Sequence, residues 1–261
     1  MKTIESINGI SVSIDDEGKG MPTFLVHGLS SSREGMYPVR DMIKGQYRAL
    51  CYDTRGHGES QKMPGYTLQD HADDLIALAK KYGEGKKVNL IGFSMGSYIC
   101  TAAAIKVPEL VDHLILIGTK GEGSTSSVER ILAERGLRAE DVSEIKKLML
   151  LMGATFAPKG KLGHMLKMMK FRSPVKLSDS DKAAETKALH NFDLFPGMPS
   201  ISAKTLVIAG EFDGINPPEY GKKVADAIPD ARYELLSGVG HVMMFEDPEK
   251  LKKLILDFLA E

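Results

Sequence analysis

The pentapeptide Gly92-Phe93-Ser94-Met95-Gly96 constrains this chain more than any other feature. Ahead of it runs Val88-Asn89-Leu90-Ile91, apolar and strand-like; after it, Ser97 to Ile105 is small, apolar and helix-compatible. A serine on a sharp strand-to-helix turn projects its hydroxyl into open space. The turn leaves so little room that glycine is needed two residues to either side. The helix beyond offers unpaired N–H groups and a positive dipole end, which suit a developing oxyanion. The pattern predicts a nucleophile at Ser94. With 26 glycines among 261 residues, five matching positions alone carry little, so the rest of the chain has to supply a base and an acid.

The flanking pattern predicts the scaffold. Ile4 to Ile14 alternates around Asn8-Gly9, a hairpin signal. Pro22–Val26, Tyr47–Tyr52, Val88–Ile91, Leu114–Ile117, Thr205–Ala209 and Arg232–Leu236 read as further strands, several of them continuously apolar as in buried parallel sheets. Thr67 and Asp70 form a capping box ahead of an apolar face of Leu68, Ala72, Leu75, Ile76 and Ala79. Pro248 opens an amphipathic closing helix to Leu259. A hairpin followed by alternating strands and helices implies an α/β fold, with a mostly parallel sheet covered on both faces.

One stretch breaks the alternation. Between Gly121 and Pro199 there is no strand pattern, but there are four helix-like pieces, at about 127–135, 139–151, 162–171 and 179–191. The expected organisation is a core of residues 1–120 and 200–261 with a helical lid, 121–199, inserted into it. The lid holds Met149, Met152, Met165, Met168 and Met169 among many lysines. Methionine adapts to varied apolar partners, so some of these are candidates to line a pocket. The simpler reading packs them onto the core while Lys146, Lys147, Lys167 and Lys170 face water. A lysine-rich face of this kind also suits an anionic membrane surface.

Composition excludes several classes. A net charge of -1 favours neither nucleic acid nor an acidic surface as the partner of the whole molecule. No apolar run is long enough for a membrane span, and the first residues lack an apolar signal core, so a soluble, cytoplasmic protein is expected. Cys51 and Cys100 both lie in apolar runs and read as core residues rather than a disulfide. No Cys/His spacing fits a metal site and no phosphate loop stands out, so neither cofactor nor metal is expected.

Base and acid candidates lie downstream. Asp213 follows the Thr205–Ala209 strand on a loop with Gly214, where a carboxylate can orient an imidazole; Glu211 competes but is longer. His241 follows the last strand in Ser237-Gly238-Val239-Gly240-His241, where paired glycines let a loop turn inward. Val26-His27-Gly28-Leu29 ends an early strand. There the Leu29 N–H can join the Met95 N–H as an oxyanion hole, while the His27 ring braces its own loop. His57, His71, His113, His164 and His190 read as surface or packing residues, although His164 and His190 lie in the lid.

With Ser94, Asp213 and His241 in that chain order, the sequence resembles the α/β-hydrolase superfamily, in particular its small esterase- and lactonase-like members. Asp53-Thr54-Arg55-Gly56-His57-Gly58-Glu59-Ser60 matches that family's Asp-x-Arg-Gly-x-Gly-x-Ser turn, a structural segment. The resemblance implies a mostly parallel sheet of about eight strands and a serine hydrolase that cleaves carboxylic esters, with a small-molecule acyl substrate and an acyl-enzyme intermediate. It also leaves lactone, thioester or C–C hydrolysis and perhydrolysis open, together with a non-enzymatic or single-turnover ligand receptor. Serine rather than aspartate at position 94 argues against dehalogenase and epoxide hydrolase relatives. Many members carry a Trp about nine residues after the loop histidine. Met36 stands there, in a chain with no Trp, which makes Met36 a candidate pocket residue.

Overall fold

In a computed structural model that describes residues 2–261, the hairpin forms around Asn8 and Gly9, both at positive φ. Strand β1 (Lys2–Ile7) pairs antiparallel with β2 (Ile10–Glu17), and β3 (Pro22–Val26) follows. The chain then alternates through α1 (Tyr37–Ile43), β4 (Arg48–Tyr52), α2 (Leu68–Gly83), β5 (Val88–Phe93), α3 (Met95–Lys106) and β6 (Val111–Ile117). Four helices come next without an intervening strand: α4 (Ser127–Ala133), α5 (Glu144–Thr155), α6 (Lys161–Met169) and α7 (Asp179–Ala188). Alternation resumes with β7 (Lys204–Gly210), α8 (Pro218–Ala227), β8 (Arg232–Leu236), the single turn α9 (Met243–Glu246) and α10 (Pro248–Leu259).

The eight strands form one sheet in the order β1-β2-β4-β3-β5-β6-β7-β8, antiparallel at β1/β2 and β2/β4 and parallel from β4 onward. This matches the expected architecture. Side chains on a strand alternate between faces, and each face has its own core. Phe24, Val26 and Leu90 pack with residues of α2, α3 and α8. Leu25, Ile91 and Ile115 pack with residues of α1 and α10. The strands are apolar on both sides because both faces are covered.

Boundaries shift where capping decides them. The helix expected from Ala139 begins instead at Glu144, because Ser143 takes the N-cap and its Oγ accepts the Lys146 N–H. Residues Ala139–Asp141 form only a short 3-10 turn. The Thr67–Asp70 capping box forms as read. Cys51 and Cys100 are buried and unpaired. Among the described residues no helix is long and apolar enough to cross a membrane.

Candidate active site

The site is built at the C-terminal ends of the parallel strands, beginning with the turn from β5 into α3. Ser94 sits at φ 51° and ψ -118°, a left-handed setting that costs a non-glycine residue about 1–3 kcal/mol. Its flanks explain why the strain persists. A Cβ at Gly96 would overlap the Val26 carbonyl, and one at Gly92 would overlap the Gly96 carbonyl. The turn is closed by the Ser94 N–H, which donates to Ile117 O at 2.9 Å, and by Ser97 Oγ, which donates to Ser94 O at 2.6 Å.

Asp213 and His241 come together although 28 residues separate them. His241 Nδ1 donates to Asp213 Oδ2 at 2.7 Å, and the two residues are 6% and 3% exposed. The other carboxylate oxygen, Asp213 Oδ1, accepts from the Ile215 and Asn216 amides at 2.9 and 2.8 Å. This pairing assigns the ring proton to Nδ1 and leaves Nε2 as the acceptor. Gly118, at φ +60°, lets the pair approach the end of β6: a Cβ there would lie 3.0 Å from His241 Cε1. The His241 ring rests on Phe93, immediately before Ser94, at 4.9 Å between centroids. Glu211 points elsewhere, accepting the Gly238 N–H at 2.8 Å.

The loop after β3 completes the floor. A Cβ at Gly28 would touch Ser94 Cβ at 3.4 Å, so the backbone passes directly against the serine. The Leu29 N–H is committed to no other protein group among the described residues, and the Met95 N–H is the first of α3. His27 braces this loop: its ring bonds Gly28 O and accepts the Thr54 N–H. Burial, reinforced by nearby His57, pushes its pKa down to about 3, so the ring is neutral.

The four-helix segment is tied to both halves of the site. The last carbonyls of a helix lack internal partners, and those of α5 are taken by the loops of the base and acid. Thr155 O accepts the His241 N–H at 2.8 Å, and Ala154 O accepts the Gly214 N–H at 2.9 Å. On the other side, Glu185 of α7 is 2% exposed and reaches the loop after Leu29. It accepts from the Ser30 N–H at 3.3 Å and from Ser30 Oγ, and lies 2.7 Å from His57 Nε2. Ser30 is itself left-handed, at φ 54°.

Sequence reasoning missed Glu185, Asn216 and Tyr98. Asn216 Nδ2 donates to Tyr98 Oη at 2.6 Å and to Gly118 O at 2.7 Å, and the Tyr98 hydroxyl also interacts with the Ser94 side chain. The available signal for Glu185 was its place on the apolar stripe of Ala184 and Ala188, where a solvated acid has no business. The Asp53–Ser60 turn is a brace, as read: Asp53 accepts the Arg33 and Glu59 amides, and Arg55 makes a two-pronged pair with Asp74. Met152, Met165 and Met168 are half-buried against the Leu25 face of the core. Met36 is sealed in that same core, with no surface free for a ligand, and Met149 is 68% exposed.

A family model described as the alpha/beta hydrolase fold matches residues 23–143. A curated protein of Mycobacterium tuberculosis named a non-heme bromoperoxidase is 27% identical, the match covering 96% of this chain and 98% of that protein. A thermophilic esterase from Thermogutta terrifontis, solved with malate bound, superposes with a TM-score of 0.83 at 28% identity, over 100% of this chain and 98% of that one. An enol-lactonase from Burkholderia xenovorans LB400 gives 0.84 at 25% identity, over 99% of this chain and 100% of that one.

Proposed function

We propose that this chain, which belongs to the α/β-hydrolase superfamily, is a serine hydrolase that cleaves carboxylic esters of small molecules through an acyl-enzyme on Ser94. The observation that carries the reading is the buried His241–Asp213 pair set against the strained turn that presents Ser94. In the reaction, His241 Nε2 takes the hydroxyl proton as Ser94 Oγ attacks the carbonyl carbon. Asp213 holds the imidazole in the required tautomer and stabilises it once charged. The tetrahedral oxyanion receives the Leu29 and Met95 N–H groups, donors that need no reorganisation as the charge develops. His241 then gives its proton to the leaving alcohol. A water deprotonated by His241 attacks the acyl-enzyme, and the acid is released with Ser94 reprotonated.

In this reading residues 121–199 are a lid over the core formed by 1–120 and 200–261. Its contacts to the His241, Gly214 and Ser30 loops support a cover that shapes the pocket. Of the lid methionines, Met152, Met165 and Met168 suit an acyl wall, because each is half-buried on the core side; exposed Met149 does not, nor does Met36 of the core. Lactone hydrolysis on the same groups is the second reading, supported by the whole-length likeness to the enol-lactonase.

A panel of p-nitrophenyl esters of graded acyl length, with lactones and a thioester alongside, tests the proposal. Many turnovers per enzyme with a chain-length optimum is the expected result. Hydrolysis that stops after one equivalent would instead mark a ligand receptor, and turnover confined to lactones would select the second reading.

A further inference from the structure

The helical segment between β6 and β7 leaves six large apolar side chains of α5 and α6 uncovered. On α5, Ile145, Leu148 and Met149 are 74%, 60% and 68% exposed; on α6, Leu162, Leu166 and Met169 are 66%, 53% and 45% exposed. The spacing shows that these are organised rows. Positions 145, 148 and 149 recur at three and four residues, and 162, 166 and 169 at four and three, so each row is one stripe of its helix. At the edges of these rows Met152 on α5 and Met165 and Met168 on α6 are half-buried and pack on the core. The six exposed side chains are left uncovered by the fold, and clustered exposed apolar side chains mark a contact site.

Charge identifies the contact. Residues 144–176 contain eight Lys and Arg against one acid, Glu144. The stretch is net +7 in a chain of net -1, so the remainder is net -8. Lys146, Lys159, Lys167, Lys170, Arg172 and Lys176 are exposed. Among the described residues, Lys147 is the one cation of the stretch with a carboxylate partner, Glu144 at 2.6 Å. A protein partner would have to match both an apolar strip and a dense cationic field. An anionic lipid surface offers both at once, with acyl chains for the leucines and headgroups for the lysines.

We propose that α5 and α6 form a docking face for an anionic bilayer surface, with Ile145, Leu148, Leu162 and Leu166 entering the headgroup–acyl boundary and the surrounding lysines engaging lipid phosphates. The C-terminus of α5 carries the carbonyl that holds the His241 loop, so the docked face adjoins the candidate site. The binding claim itself does not rest on the serine hydrolase reading.

The test is co-sedimentation of the full chain with large unilamellar vesicles of phosphatidylcholine alone, or with about 30% phosphatidylglycerol, at roughly 0.02 M and 0.5 M salt. Binding should require the anionic lipid and fall at high salt. A lysine near such a surface strengthens binding about fivefold, so Lys167→Glu with Lys170→Glu should weaken it by at least about twentyfold. Leu148→Gln with Leu166→Gln should abolish it at low salt too. The far-UV spectrum and the hydrolysis of a water-dissolved acetate ester should be unchanged in both variants. Ser94→Ala protein should bind as the wild type does, which separates failure of docking from failure of the proposed chemistry. Equal binding to neutral and anionic vesicles, or binding indifferent to the leucine changes, overturns the proposal. So does a dimer in sedimentation equilibrium that Leu148→Gln dissolves while vesicles capture nothing.

Discussion

Ser94 and Ser30 are both non-glycine residues in left-handed backbone, and they stand on the two loops that would hold an oxyanion. Such conformations persist only where surroundings over-determine them. Ser94 is held by the crowding at Gly92 and Gly96, and Ser30 by Glu185. The proposed choice of Asp213 over Glu211 as the acid also rests on this scale. Asp213 faces His241 and accepts two further amides, whereas Glu211 braces the turn at Gly238. Asp213→Asn should therefore fold normally and lose about 10⁴-fold in kcat, because the amide favours the wrong imidazole tautomer. Glu211→Gln should keep activity within a few-fold. Steady-state kinetics on one activated ester, with thermal unfolding as the folding control, compares the two; the reverse order of damage would move the acid to Glu211.

Among the elements, α7 is the clearest case of a part whose importance lies in one side chain. Glu185 joins the helical segment to the loop after Leu29, and its carboxylate is buried with Ser30 and His57 as partners. Glu185→Ala should free that loop and lower kcat by roughly ten- to a hundredfold while KM changes less, since a donor geometry used in the transition state is lost. Glu185→Gln keeps an acceptor for Ser30 and should recover most of the activity. If both variants lose stability in proportion to activity, Glu185 only packs the helix. This element also shows where sequence reading ends. The β5–Ser94–α3 turn was legible because steric crowding dictates glycine at fixed offsets. Asp213 was legible because it follows an apolar strand, and His241 because it follows the last strand on a loop with paired glycines. Glu185 was not, because its partners lie 155 and 128 residues away, and only the fold brings the apolar stripe of α7 onto them. The α5 boundary failed for a local reason, the Ser143 cap outcompeting an earlier start.

For the whole molecule, acid sensitivity follows from histidines buried beneath the site. Burial, with His57 nearby, lowers the pKa of His27 to about 3 and that of His71 well below its ordinary value. Neither His71 nitrogen has a hydrogen-bond partner among the described residues. In the unfolded chain both rings gain a proton below about pH 6.5, whereas the folded protein keeps them neutral. The unfolded state thus binds more protons, and stability must fall as pH drops from about 6.5 toward 3. Urea unfolding at pH 7 and pH 5 should differ by roughly 2–4 kcal/mol, and His71→Phe should flatten the dependence. A pH-independent midpoint would mean that these rings are protonated in the fold. The proposed role of this scaffold, activation of Ser94, has a more direct measure. Intact-mass and peptide analysis after treatment with a fluorophosphonate should find one adduct per chain, on Ser94, formed in step with the loss of ester hydrolysis. Ser94→Ala should remove the label and cost about a million-fold in kcat. An adduct on another residue, or hydrolysis that survives in Ser94→Ala, would contradict it.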